Sequence, residues 1–554
     1  MLKSATGMLT ADIGENVVGT TGDDSFSAIQ AATGAATLNV GDQIDGAAGF
    51  DTLNLITDSG ELPTGVTVED VERVNLNLGA DSEIVTTSDF GDALEQLWLT
   101  GSHAATVDVA ADTTLGFSGK AAQAVTTANV AGGTFNLAVA NPSNSVLVNA
   151  AAAAGAAELT TVNVSGEMDD GDVYLGDTDN TITTLNLALS GDADVDAKGG
   201  NAITGMGNLE TVDAFDSTGK LMIDVDGNTG VDVTGGSGDD YIILGSTFDV
   251  DNEIDGGEGN DTLQVELGTV NTQGYLALNA VENVEEVYFN TGATLDVAKV
   301  DSVSTFGFEA GGTVTNVTDE TSLIARDDGT LNVEHADSDA EGAAGTVNLE
   351  LDDQAAVTVD AATGGDAFGF ESLVVTGNGA VIFDNNNAAA DVNAATSIDL
   401  SGLALLDGDD EIDDQNDTST ITLNGSVAES VTLSGGIDSV DASGSTYENM
   451  DTITGFQLED GDDLALADNL NLGARSDTTL SEFEVADGST LDQAFVNAIA
   501  ASNTDTSAKF FQFEDNTYVV DDAGTTGQLD DTDFAVKLVG SYDLSQADGT
   551  IAVA

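Results

Sequence analysis

Short runs in which apolar and polar residues alternate recur along most of the chain. Examples are Val71-Glu72-Arg73-Val74-Asn75-Leu76, Leu94-Glu95-Gln96-Leu97-Trp98-Leu99, Leu159-Thr160-Thr161-Val162-Asn163-Val164, Ile182-Thr183-Thr184-Leu185-Asn186-Leu187 and Leu209-Glu210-Thr211-Val212. Alternation with a period of two predicts half-buried strands. The fourth position of each run is apolar (Val74, Leu97, Val162, Leu185, Val212), and nearest neighbours in this series lie 23 to 27 residues apart. The interval from Leu97 to Val162 is 65 residues and must hide further units. Periods of this length mark stacked supersecondary units, each burying its inner face only against its neighbours. The pattern therefore predicts an all-β parallel β-solenoid, or β-roll, with Thr and Asn on the outer faces and corners. Helical periodicity is found once, where Leu491, Phe495 and Ile499 share a face behind a cap at Ser489 or Thr490. Beyond residue 471, runs such as Phe511-Gln512-Phe513, Thr517-Tyr518-Val519-Val520 and Val536-Lys537-Leu538-Val539-Gly540 predict a mostly antiparallel, β-rich cap over the open end of the stack.

A second pattern interrupts the alternation. Gly235-Gly236-Ser237-Gly238-Asp239-Asp240-Tyr241-Ile242 and Gly256-Gly257-Glu258-Gly259-Asn260-Asp261-Thr262-Leu263 both read G-G-x-G-x-D-x-U-x, the nonapeptide of calcium-binding β-rolls. Glycines allow a tight turn with φ > 0 that aims carbonyl oxygens at one point. The sixth-position aspartate adds a hard anionic oxygen of the kind Ca²⁺ prefers. The apolar eighth residue then enters a strand. Each turn supplies half a shell, so an ion needs two stacked turns, and the copies start 21 residues apart, one coil on. The predicted ligands are Gly235, Ser237, Gly238 and Asp240 with Gly256, Glu258, Gly259 and Asp261. A degenerate pair, Gly19-Thr20-Thr21-Gly22-Asp23-Asp24-Ser25-Phe26 and Gly46-Ala47-Ala48-Gly49-Phe50-Asp51-Thr52-Leu53, predicts a second site through Asp24 and Asp51. Gly408-Asp409-Asp410-Glu411-Ile412 and Gly436-Ile437-Asp438-Ser439-Val440 keep half of the motif and make Asp410 and Asp438 a third candidate pair. The resulting map is an N-terminal arm and first pair (1–60), solenoid (61–234), the full pair (235–267), solenoid (268–404), the third Gly-Asp region (405–470) and the cap (471–554).

Charge sharpens this reading. The 99 acidic residues outnumber the 10 basic ones, giving a formal charge of −89 over 554 residues, so nucleic acid and anionic membranes are excluded as partners. With 41% apolar residues the chain still has a core to bury, so it is not a disordered polyanion. Something external must offset the charge, and divalent cations are the simplest candidate; a halophilic acidic coat is the competing explanation. Cysteine is absent, so neither disulfides nor thiolate metal sites contribute. No apolar run is long enough to span a membrane, and the N-terminal stretch lacks the apolar core of a cleavable signal.

Catalytic motifs are missing: there is no H-E-x-x-H helix, no G-x-S-x-G elbow and no Gly-Lys phosphate loop. His103 and His335 are expected at the surface or at coil corners, and the chain is not expected to be an enzyme.

The nonapeptides at 235–243 and 256–264 resemble those of RTX proteins of Gram-negative bacteria. The runs DTITGFQLEDGDDLALAD (451–468), FFQFEDNTYVVDD (510–522) and AVKLVG (535–540) look like the uncleaved C-terminal region of RTX proteins exported by type I secretion. Among these the chain is similar to bacterial surface-layer proteins, since its motifs come as isolated pairs and not as the long arrays of toxins and proteases. That resemblance implies a secreted protein on the cell surface, a calcium-dependent two-dimensional lattice of its own copies, several Ca²⁺ ions per subunit, and outer-membrane lipopolysaccharide as a candidate partner. A calcium-binding adhesin or biofilm-matrix fibre, and an extracellular carbohydrate-active enzyme on the same scaffold, are the alternatives.

Overall fold

The computed structural model describes residues 6–30, 36–79, 83–101, 103–119, 125–142, 145–169, 171–199, 204–336, 345–361, 370–385, 395–403, 418–457, 468–471, 480–505, 507–523, 525–546 and 551–552. The protein is mostly β, a parallel β-solenoid of about 17 turns with antiparallel strands in its C-terminal region. Two compact units divide it: residues 1–266 with 276–286, and residues 267–275 with 287–554.

In the first unit each coil adds a strand to one long parallel sheet and a strand to a second face. That face is a separate three-stranded sheet (Asn16–Val18, Gln43–Asp45, Thr67–Glu69) in the first coils and a second long parallel sheet from Glu83–Thr86 onward. One sheet runs through Ser25–Gln30, Thr52–Thr57, Arg73–Leu78, Gln96–Leu99, Thr114–Ser118, Thr134–Ala140, Thr161–Glu167 and Thr184–Ser190. Parallel pairing in register places like on like, Leu53 beside Val74 and Val74 beside Leu97. The inward rows, Leu53, Val74, Leu97, Val162, Leu185 and Val212 among them, are fully buried. Outward, asparagines stack as amide ladders: the Asn75 Nδ2 donates to Asn54 Oδ1 at 2.8 Å, and Asn163 and Asn186 continue the same device from Asn136.

The single apolar column expected from the sequence is two adjacent ones. Thr114 pairs with Asn136, two residues into its strand, so Leu97, Leu115, Leu137 and Val164 form one row, whereas Val162, Leu185 and Val212 follow Phe135 in the next. The long interval between Leu97 and Val162 holds the two coils that begin at Thr114 and Thr134.

The second unit repeats the stack through strands such as Thr305–Phe308, Ser322–Ala325, Ser430–Thr432 and Asp451–Thr454. His335, expected at the surface or at a coil corner, is buried at a strand end. It ends the strand Gly329–His335 at an inward register, beside Val317, is 3% exposed, and packs its ring where a Gly345 side chain would be. A short helix, Thr272–Leu278, was not evident from periodicity because seven residues carry too little of it; Asn271 Oδ1 accepts the Gln273 and Gly274 amides at its start.

Strands Ala508–Phe513, Asn516–Asp521 and Phe534–Val539 pair antiparallel, and the last also pairs parallel with Asp451–Thr454, tying the cap to its solenoid. The turn at Glu514 (φ 48°) and Asp515 (φ 62°) has both central residues left-handed, the geometry whose twist suits a two-residue hairpin. Helix Leu491–Asp505 opens with a reciprocal capping box: Thr490 Oγ1 accepts the Gln493 amide at 3.3 Å and Gln493 Oε1 accepts the Thr490 amide at 3.0 Å. Its Phe495 meets Tyr447, Phe511 and Tyr518 edge-on at ring centroid distances of 5.0 to 5.5 Å. Phe495→Ala removes that keystone, and a loss of about 3–5 kcal/mol is expected; chemical denaturation of the variant beside the wild-type protein measures it.

Candidate metal centre

Acids standing just before a strand form a ladder along one corner of each stack. The Asp24 amide donates to Asp51 Oδ1 at 2.6 Å, and the Asp51 amide donates to Glu72 Oε2 at 2.6 Å. The Gly-rich pair repeats this: Leu221 N–H to Asp240 Oδ1 at 2.8 Å, Asp240 N–H to Asp261 Oδ1 at 2.7 Å, Asp261 N–H to Glu285 Oε2 at 2.7 Å. Each carboxylate thus caps the amide at the same position of the preceding coil. Asp24, Asp51, Asp240 and Asp261 are all essentially buried.

The two coils of a pair differ. In the first, the aspartate also closes its own turn, accepting the Gly236 amide on Asp240 Oδ2 at 2.7 Å and the Thr20 amide on Asp24 Oδ2. In the second, the turn residue has flipped to positive φ, at Gly257 (99°) and at Ala47 (73°). Its amide now donates to a preceding aspartate, Asp255 Oδ1 at 3.1 Å or Asp45 Oδ1 at 2.9 Å. The flip leaves Asp261 Oδ2 and Asp51 Oδ2 buried with no hydrogen-bond partner. Among the described residues, every buried carboxylate oxygen left in this state (Asp51, Asp261, Asp438, Asp451) belongs to such a ladder.

The glycines work mainly by closeness. A Cβ at Gly235 would sit 1.9 Å from the Gly256 carbonyl oxygen, one at Gly256 1.9 Å from that of Asn283, and one at Gly238 2.3 Å from that of Gly219. Left-handed backbone is confined to the second coil, at Gly257 and Gly259 (134°). Ser237 donates its amide to the Ser217 carbonyl at 3.1 Å, and Glu258 gives its amide to the Gly236 carbonyl at 2.9 Å with its side chain exposed. A Cβ at Gly256 would meet Asp261 Oδ2 at 2.6 Å and the Asn283 carbonyl oxygen at 1.9 Å, and one at Gly46 would meet Asp51 Oδ2 at 2.6 Å and the Asp70 carbonyl oxygen at 1.8 Å, so in each case both oxygens crowd the same glycine. Asn283 (φ 50°) and Asp70 (φ 49°) share the left-handed conformation.

In each open coil a carboxylate oxygen without a hydrogen-bond partner thus lies near a backbone carbonyl oxygen. This set suits a hard cation that accepts carbonyl and water oxygens, as Ca²⁺ does. No cluster of three or more His, Cys, Asp or Glu side chains able to hold a metal occurs among the described residues, so the remaining ligands would be backbone and water. Asp240, with both oxygens engaged by amides, acts as a cap, and Asp261 carries the open oxygen.

In the third region Asp410 lies outside the described residues. Asp438 is stacked against Asp468, to whose Oδ1 it donates its amide at 3.0 Å, while Ser434 donates its amide and hydroxyl to Asp438 Oδ2 at 2.9 Å. A parallel rung joins Glu429 N–H to Asp451 Oδ1 at 2.9 Å, and the Glu429 carboxylate accepts from the Asn385 side chain and the Asn424 amide. Sequence reasoning missed Glu72, Glu285, Glu429, Asp451 and Asp468. A signal existed for one of them: Asp451-Thr452-Ile453 repeats Asp51-Thr52-Leu53 and Asp261-Thr262-Leu263.

Burial and neighbouring acids raise these carboxyl groups well above the usual range. Burial pushes Asp261 up to about 7, helped by the charges of Asp240 and Glu285. Burial likewise raises Asp451 and Asp468 to about 7, Asp438 to about 6 and Glu429 to about 9. A carboxyl raised in the folded state binds its proton more tightly there than in the unfolded chain. Its stabilising contribution is therefore complete below about pH 4 and is lost as pH rises toward 7. Metal-free protein is expected to lose thermal stability from pH 4 to 8, millimolar Ca²⁺ to restore it at pH 7–8, and Asp261→Asn to weaken both effects. Thermal melts across this pH range, with and without chelator, measure them.

Compared with protein-family models and with curated proteins, the chain matches none; what is established is its architecture, a long parallel β-solenoid of about 17 turns.

Proposed function

We propose that this protein is a calcium-stabilised structural solenoid that assembles with its own copies into a layer on the outer surface of a Gram-negative cell. The observation that carries this reading is the pair of buried carboxylate oxygens, Asp51 Oδ2 and Asp261 Oδ2, each without a hydrogen-bond partner and near a backbone carbonyl oxygen. A protein of formal charge −89 cannot leave such oxygens ionised in its corners without a counter-charge. Ca²⁺ held by Asp261 with the Asn283 carbonyl, and by Asp51 with the Asp70 carbonyl, supplies it. Further Ca²⁺ between subunits bridges acidic surfaces that otherwise repel. Asp438 and Asp451, on two separate rungs of the second unit, each carry a further buried carboxylate oxygen without a hydrogen-bond partner.

Extracellular calcium modules bind at roughly 10⁻⁴–10⁻³ M, so the ion loads outside the cell and not in the calcium-poor cytosol. Export by type I secretion, as the resemblance of residues 451–540 implies, delivers the chain to that environment, where lipopolysaccharide is a partner for attachment.

The reading predicts that purified protein forms ordered sheets in millimolar Ca²⁺ and that chelation disperses them and lowers the melting temperature. Electron microscopy with and without chelator, together with metal analysis of the washed protein, tests it. Sheets that persist in excess chelator, or protein that binds no Ca²⁺, would overturn it.

A further inference from the structure

Repulsion between copies is not uniform over the surface. The outward positions of the eight strands from Ser25–Gln30 to Thr184–Ser190 are almost all Ser, Thr, Asn, Gln and Ala. In a chain with 99 acids these positions include one carboxylate, Glu167, and one cation, Arg73. The other long sheet of the same unit carries Asp108, Asp172, Asp194, Asp196 and Asp224 along its strands.

Arg73 is held in place from two sides. Its guanidinium lies 4.6 Å above the ring of Trp98, and its Nε donates to Asn75 Oδ1 at 2.9 Å. Trp98 in turn lies flat over Gly116, where a Cβ would come within 2.3 Å of the ring. No ion pair engages Arg73 among the described residues, and burial lowers its pKa with no carboxylate opposing the shift. It borders an open groove of about 280 Å³ lined also by Asn54, Asn75, Asn77, Thr100 and Ser118, with no acid in the lining. Ile29 and Ile56, register partners 40% and 50% exposed, stand at the edge of the same face. Glu167, exposed, lies four strands further along.

We propose that this face is a self-complementary contact between two copies of the chain, related by a two-fold axis lying in the face, with each Arg73 set against Glu167 of the second copy. A flat face with one positive and one negative point always admits such an axis midway between them, and an isologous contact forms both pairs at once. Glu167 lies four strands on from Arg73 and four residues along the strand, so this axis crosses the two stacks at roughly 70° and the faces, each three outward residues wide, share about 300 Å² per copy. That is below the ~600 Å² per partner of specific interfaces, a weak contact that counts when it is repeated in a layer. Over these eight strands the face carries less charge than the other long sheet of the same unit. The proposal deepens the self-assembly reading and rests on it, naming one contact that needs no bridging cation.

Sedimentation of the full chain in millimolar Ca²⁺ tests it. R73E and E167R are each expected to weaken self-association on the order of 100-fold, because each sets like charges opposite one another. The double variant R73E/E167R is expected to regain association to within about tenfold of wild type. All three should keep the wild-type calcium-dependent melting temperature. Should wild type associate and the single variants associate equally, or the double variant recover nothing, the face is wrong and the calcium-dependent assembly stands. Should wild type remain monomeric at every concentration in Ca²⁺, the assembly reading fails and this contact with it.

Discussion

Stacking coils about 4.8 Å apart sets each residue directly on its counterpart in the next coil. Whatever occupies a position must therefore tolerate its own kind as a neighbour. Apolar rows satisfy this by packing, and asparagines satisfy it because an amide both donates and accepts, as Asn54 with Asn75 and Asn136 with Asn163 and Asn186 demonstrate. Carboxylates do not satisfy it by themselves. In this protein the rung is completed by the backbone, the amide of one acid donating to the carboxylate of the next. One oxygen of each upper acid is thereby neutralised in part; the other is left without a partner at Asp51, Asp261 and Asp451 and is taken by the Gln457 amide at Asp468.

The acid ladders consequently join the two extremes of the molecule's chemistry, its stability and its charge. Where the turn closes on its own aspartate, as at Asp240, the corner is self-sufficient. Where the turn residue flips, as at Ala47 and Gly257, the corner stays open toward a cation or a proton. Both Gly-rich pairs show the same alternation of a closed coil and an open one, although their sequences have diverged. Ala47 holds a left-handed φ that glycine adopts freely and alanine does not. The open turn is thus kept even where it is strained.

The outer faces divide by the same logic. One sheet of the first unit bears aspartates along its strands, while eight successive strands of the other bear mostly Thr, Asn and Ser with one cation and one anion, before Asp213, Asp232 and Asp255 appear in its later strands. A polyanion that meets its own copies needs either cations at its seams or a face with little charge, and the chain has a surface of each kind.

By itself the sequence determined the parallel solenoid, the inward rows, the capped helix at 491–505, the hairpin at 514–515 and the corner positions of Asp24, Asp51, Asp240 and Asp261. All of these follow from local periodicity, turn chemistry or a motif of fixed spacing, so neighbouring residues suffice to read them. Tertiary structure alone decided which acids stack on which. Glu72, Glu285, Glu429 and Asp468 stand in no Gly-rich motif and join the ladders only because coil lengths bring them over Asp51, Asp261, Asp451 and Asp438. The two-residue offset of the strand at Thr134, the inward turn of His335 and the pairing of Asp438 with Asp468 were likewise hidden. Register between coils depends on loop lengths summed over whole turns, and no local pattern records that sum.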